Sequence, residues 1–163
     1  MKGATDEEPP GWQARFGLVA GITDRSSGSL GLSIPDPARD VMKRMREFRL
    51  AMRPRFTALQ MAHQVHSCVA LWHEGVAPGW HVRDEADGHA TSQAGLLLAV
   101  TAADCVPVYL ATRDGRAIAL LHAGWRGVQG GMLQAGLKVL TAHSGAAQAD
   151  IVMHCGVAIC GAC

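Results

Sequence analysis

Apolar positions along this chain come in short runs and in helical recurrences, and together they predict alternating strands and helices. The run Phe16 to Ile22 predicts a short strand, followed by a Ser- and Gly-rich loop over Arg25 to Ser33. Asp36 then reads as a helix cap with Pro37 at the first helical position. Val41, Met42, Met45 and Phe48 recur at helical spacing and predict a core-facing stripe. A strand is predicted from about Thr57 to Leu71, which would carry Gln64-Val65-His66-Ser67. Two apolar strands come next, Gly95 to Thr101 and Val106 to Ala111, and the Asp114-Gly115 turn leads into a third, Ala117 to His122. A glycine-rich joint, Gly124 to Gly131, opens into a helix with Val128, Met132, Leu133, Leu137 and Leu140 on its apolar positions, and Ile151 to Met153 begins a last strand.

The ends read differently. Residues 1–12, with Glu7, Glu8, Pro9 and Pro10, are expected to form a flexible leader. Residues 13–163 are expected to form one domain, incomplete at its C-terminus, because Cys155 to Cys163 reads as a structured glycine turn and not as a tail. A length of 163 residues fits a single domain able to bury a sizeable core.

Charge narrows the partners. Fifteen Lys and Arg against fourteen Asp and Glu leave a net charge of +1, which provides no strong field for nucleic acid or an anionic membrane. The basic run Lys43, Arg44, Arg46 and Arg49 falls on the predicted helix and reads as a solvated face. The first residues contain no apolar signal-like run, and Ala94 to Val100 is too short to span a bilayer. With five Cys, an odd number, a cytoplasmic location and free or metal-bound thiols are the expectation.

His66, Cys105 and His122 are the residues that suggest chemistry. Each lies at or near a predicted strand terminus, where neighbouring strands bring distant residues together. Two imidazoles and a thiolate are a ligand set for catalytic zinc, which keeps a fourth position for water or substrate. The same residues suit a Cys105 nucleophile with His122 or His66 as its base, or ordinary core packing, and spacing alone does not separate these readings. Asp104 is a proton carrier, an orienting group for a ligand or a turn cap. Arg126, in His122-Ala123-Gly124-Trp125-Arg126-Gly127, offers a fork of donors to phosphate, and Arg25 is a second anion contact or a solvated charge. Asp87-Gly88 reads most simply as a turn, and Trp125 as a packing residue. Cys155, Cys160 and Cys163 have an iron–sulfur-like spacing, although their glycines favour a structural turn.

Two segments make the chain recognisable: Thr101-Ala102-Ala103-Asp104-Cys105-Val106-Pro107-Val108 and His122-Ala123-Gly124-Trp125-Arg126-Gly127. With Gln64-Val65-His66, Gly21-Ile22-Thr23-Asp24-Arg25 and the terminal glycine turn, they resemble the laccase-domain or "multicopper polyphenol oxidase" family, regarded as purine nucleoside phosphorylases. The resemblance runs over nearly the whole chain from Phe16. It implies an α+β fold, a four-layer α/β/β/α sandwich with mixed sheets. It also implies one zinc on His66, Cys105 and His122, with copper the less credible metal. The implied activity is phosphorolysis of adenosine, inosine, guanosine or methylthioadenosine, together with deamination of adenosine. Catalytic Asp104, Cys105 and His122 would then act with Arg25 and Arg126 on phosphate, and the partners would be a purine nucleoside and phosphate, with no nucleic acid or membrane and the oligomeric state left open. Departures from the family pattern include Ser67, where the family often has Gly, and Val157, which replaces a Pro. The alternatives are a cysteine hydrolase using Cys105 and His122, such as one that edits a cell-wall precursor, and a non-catalytic metal-binding module.

Overall fold

The computed structural model describes residues 11–31 and 36–161, apart from the side chain of Arg25. Most of the expected leader and Cys163 therefore lie outside the described residues, whereas Trp12 begins a short helix, α1 (Trp12–Phe16). Two sheets organise the rest of the chain. The smaller is all parallel, in the order β3 (Gly79–Arg83), β1 (Ala58–Ala62), β5 (Leu96–Leu98). The larger is mixed and runs β2 (Ala70–His73), β4 (Gly88–Thr91), β7 (Ile118–Ala123), β6 (Val106–Thr112), β8 (Ile151–Cys155). Only the β2–β4 pairing in that sheet is parallel. The chain is thus α+β with two sheets, as expected.

Alternation along β7 explains the layering. Ala119, Leu121 and Ala123 point to one face and meet Met132 and Leu140 of α4 (Met132–Ser144), together with Ala90, Val108 and Leu110. Ile118 and Leu120 point to the other face and pack against Ala58, Leu96 and Leu98 of the parallel sheet. Helix α4, the large sheet and the small sheet are therefore stacked in that order. The close approach of α4 depends on Gly136, where an added Cβ would lie 2.5 Å from Leu121 Cδ1.

Several expectations change. Phe16 to Ile22 is not a strand: Phe16 ends α1 and residues 18–24 pair with no sheet. Leu18, Val19, Ala20 and Gly21 instead line a cavity of about 100 Å³ with Leu96, Leu97, Leu98 and Tyr109, so the apolar residues of the run are half-buried without being paired. The long strand expected over 57–71 is two strands, β1 and β2, in different sheets, joined by the loop at 63–69. Helix α2 (Ala38–Met52) has Pro37 as an N-cap without a side-chain bond, and Asp36 pairs with Arg44 instead. Val41 and Met45 are buried on α2 but Met42 is exposed, and Arg44 leaves the solvated basic face to bond the Ser29 carbonyl. The helix after the glycine joint is split into α3 (Trp125–Gly130) and α4 by Gly131, whose φ of 93° no other residue type adopts readily.

Candidate metal centre

His122 is the penultimate residue of β7, and Cys105 immediately precedes β6. These strands are antiparallel, with Pro107 opposite His122 and Val106 opposite Ala123, so the entry to one lies beside the exit of the other. The loop between β1 and β2 brings His66 to the same end. The ligating atoms of His66, Cys105 and His122 lie within 4.8 Å of one another, with His122 buried, Cys105 partly buried and His66 exposed. The edge of a tetrahedral zinc site is roughly 3.5 Å, given Zn–N and Zn–S bonds of about 2.1 and 2.3 Å. The difference is of the size that a side-chain rotation covers, and the exposed His66 is the ring with room to rotate. Soft sulfur with two imidazoles suits zinc as a donor set, and the residues fit the metal.

Glycine makes the space. A Cβ on Gly124 would lie 2.9 Å from Cys105 Sγ and 3.0 Å from His66 Cδ2, so any side chain there would occupy the gap between the ligands. The His66 and His122 rings meet edge to face, with centroids 4.9 Å apart.

The Gln-Val-His segment is tied to the Asp-Cys segment by a side chain. Gln64 Nε2 donates to the Thr101 carbonyl and Gln64 Oε1 accepts from the Thr101 amide, both at 2.7 Å. The loop bearing His66 is thereby fixed to the segment that leads to Cys105.

Asp87 is the residue that sequence reasoning missed. Asp-Gly reads as a turn, yet Asp87 is fully buried and Gly88 opens β4. Its Oδ1 faces His122 Nδ1 at 2.8 Å and accepts from the His66 amide at 3.1 Å. Its Oδ2 accepts from the Val65 amide, the Ser67 amide and the Ser67 hydroxyl at 3.2, 2.7 and 2.8 Å. Burial pushes the Asp87 carboxyl up, but the hydrogen bonds from His122, Ser67 and Val65 outweigh it and hold the group below the usual carboxylate range. The signal available in the sequence was chemical: a histidine ligand needs a partner for its other nitrogen.

The remaining expected site residues are placed unevenly. Asp104 is exposed and its carbonyl accepts from the Ile159 amide. Burial and the negative charges of Asp104 and Asp87 push the Cys105 thiol up, so a thiolate here calls for a cation beside it. Arg126 sits in the first turn of α3, exposed, with its guanidinium 5.1 Å from the centre of the Trp125 ring. Trp125 is 70% exposed and does not pack into the core, contrary to expectation. Arg25 begins a 3-10 turn, and its side chain lies outside the described part of the chain. Cys155 ends β8.

Known proteins share this arrangement of chain. The chain is 30% identical over 162 residues to a protein of Geobacillus stearothermophilus named purine nucleoside phosphorylase YlmD, covering 90% of this chain and 59% of the relative. The crystal structure of that YlmD superposes with a TM-score of 0.71 at 29% identity, covering 80% of this chain and 50% of the other. The Bacillus licheniformis protein YfiH, at 23% identity, shares the fold with a TM-score of 0.74, over 99% of this chain and 57% of its own. The chain thus spans only between half and three-fifths of the length of these relatives. The sequence model of the multi-copper polyphenol oxidoreductase laccase family matches residues 15–163, and the chain belongs to that family.

Proposed function

We propose that this chain forms the metal-bearing part of a zinc-dependent purine nucleoside phosphorylase that also deaminates adenosine. The observation that carries the reading is the convergence of His66, Cys105 and His122 at one end of the sheets. The name of the YlmD relative gives the substrate class. His66, Cys105 and His122 would hold zinc, which would supply a Lewis acid when bound.

The protein's own groups take the other roles. Arg126, beside the site and exposed, binds phosphate, with Arg25 as a second contact. A phosphate oxygen attacks the ribose anomeric carbon, the glycosidic bond breaks, and its electron pair leaves on the base, giving free purine and ribose 1-phosphate. Asp104, adjacent to Cys105, carries the proton or orients the reacting group. The partners are a small purine nucleoside and phosphate. No helix among the described residues is long and apolar enough to cross a membrane, and we place the protein in the cytoplasm.

The test is incubation of purified protein with adenosine and phosphate, with products separated by chromatography. Adenine or inosine is expected, with about one zinc per chain that His122→Ala removes. Zinc-loaded protein that forms neither product refutes the enzyme assignment and leaves a metal-binding module. A second reading is favoured by one contact: the Asp87–His122 bond with Cys105 nearby is also the layout of a Cys-His-Asp hydrolase. That reading requires Cys105 alkylation and turnover that a chelator leaves unaltered.

A further inference from the structure

We propose that Asp87 is a positioning residue that sets both histidines of the site at once, and that the Ser67 hydroxyl is part of the same clamp. The proposal rests on the metal reading above and extends it to residues that hold the ligands.

A carboxylate only accepts hydrogen bonds, so the 2.8 Å contact places the proton of neutral His122 on Nδ1. The Nε2 lone pair is then left as the ligand. The same carboxylate accepts three consecutive amides, those of Val65, His66 and Ser67. This matters because His66 has a φ of 59°, in the left-handed region where a residue with a Cβ is strained. The three amides can converge on one carboxylate because the chain turns there, and their bonds hold the turn against the strain.

The backbone of Asp87 fixes its position. Its amide donates to the Val69 carbonyl at 3.1 Å, and its carbonyl accepts from the His122 amide at 2.7 Å. Asp87 therefore binds the His66 loop and the end of β7 through both its side chain and its main chain. The Ser67 hydroxyl supplies a further donor to Oδ2, and it also accepts from the Val69 amide at 3.2 Å. A glycine at this position would retain the amide contact and lose both hydroxyl contacts.

Asp87→Asn separates positioning from bulk. The amide keeps the shape but has one acceptor oxygen instead of two, and its NH2 group cannot accept from His122 Nδ1–H. Zinc affinity, measured by competition with a chromophoric chelator, is expected to fall 10- to 100-fold, the usual range for such partners of metal-bound histidines. The imidazole nitrogen resonances of His122 in metal-free protein are expected to show Nδ1–H in the wild type and a shift towards Nε2–H in the variant. Ser67→Gly, which leaves the His122 contact intact, is expected to weaken zinc several-fold without altering the tautomer. A wild-type zinc affinity in Asp87→Asn, or Nε2–H already predominant in the wild type, overturns the proposal. If Asp87→Asn does not fold, the wild-type tautomer and the affinity of Ser67→Gly decide it: wild-type affinity in Ser67→Gly removes the hydroxyl from the clamp. Wild-type protein that binds no zinc refutes the metal reading, while the tautomer measurement still tests the hold of Asp87 on His122.

Discussion

Acid should loosen this domain through two histidines that lie outside the candidate metal centre. His73 on β2 and His89 on β4 are 4% and 0% exposed, and His73 Nε2 lies 2.9 Å from His89 Nδ1. His89 Nε2 is buried with no hydrogen-bond partner among the described residues. Burial, reinforced by the charge of Arg83, lowers His73 from 6.5 to about 4. Burial and His73 lower His89 from 6.5 to about 4, against a smaller opposing effect of Asp87. Both rings are therefore neutral in the folded protein, while in the unfolded chain they take up protons below about 6.5. Their contribution is fully present above that pH and is lost as pH falls towards about 4. At pH 5 the preferential protonation of the unfolded chain costs about 2 kcal/mol per ring. Because the rings are coupled, the pair together accounts for roughly 2–4 kcal/mol between pH 7 and pH 5. Urea unfolding monitored by tryptophan fluorescence at both pH values measures the loss. The comparison that isolates these rings from the other histidines is the double variant His73→Gln, His89→Gln, whose stability should depend much less on pH. An equal loss in wild type and double variant would refute the argument.

Three further outcomes are expected from the packing and the site. Gly124→Ala places a methyl group between Cys105 and His66; it should reduce zinc affinity by at least about tenfold, consistent with about 1–3 kcal/mol of overpacking, as read by metal competition. Leu121→Ala empties a fully buried position between β7 and α4 and should cost about 2–5 kcal/mol in chemical denaturation. Gly136→Ala should also destabilise, by about 1–3 kcal/mol, and less in the Leu121→Ala background, where the atoms its Cβ would strike are gone; a double-mutant cycle measures that coupling.

How legible each element was in the sequence depended on how local its signal was. Strands β6 and β7 were readable because seven and six residues of apolar, strand-forming sequence flank a tight Asp-Gly turn. Strands β3 and β4 were not. Gly79-Trp-His-Val-Arg and Gly88-His-Ala-Thr are short and contain glycine and histidine; pairing with β1 makes the first a strand, and pairing together with burial makes the second one. Phe16 to Ile22 failed in the opposite direction: its apolar residues are half-buried, several of them along a cavity, and periodicity does not report whether a backbone is paired. His66, Cys105 and His122 were visible as residue types beside strand ends and within recognisable motifs. Asp87 was hidden because Asp-Gly is ordinary turn chemistry, and only the pairing of Gly88 with Leu121 brings it next to His122.

The three ligands do not all come from one sheet. His66 lies just after a strand of the small parallel sheet, while Cys105 and His122 belong to one hairpin of the larger sheet. A cation held by all three is thus a cross-link between separate parts of the fold. It joins two ends of a hairpin, whose closure is already fixed by a single tight turn, to a loop whose other anchors are hydrogen bonds. Any metal with higher affinity for the folded than the unfolded chain raises stability in proportion to the logarithm of its concentration once the site is saturated. Occupancy here would therefore be legible as resistance to unfolding and to proteolysis of the 63–69 loop, before any substrate is added.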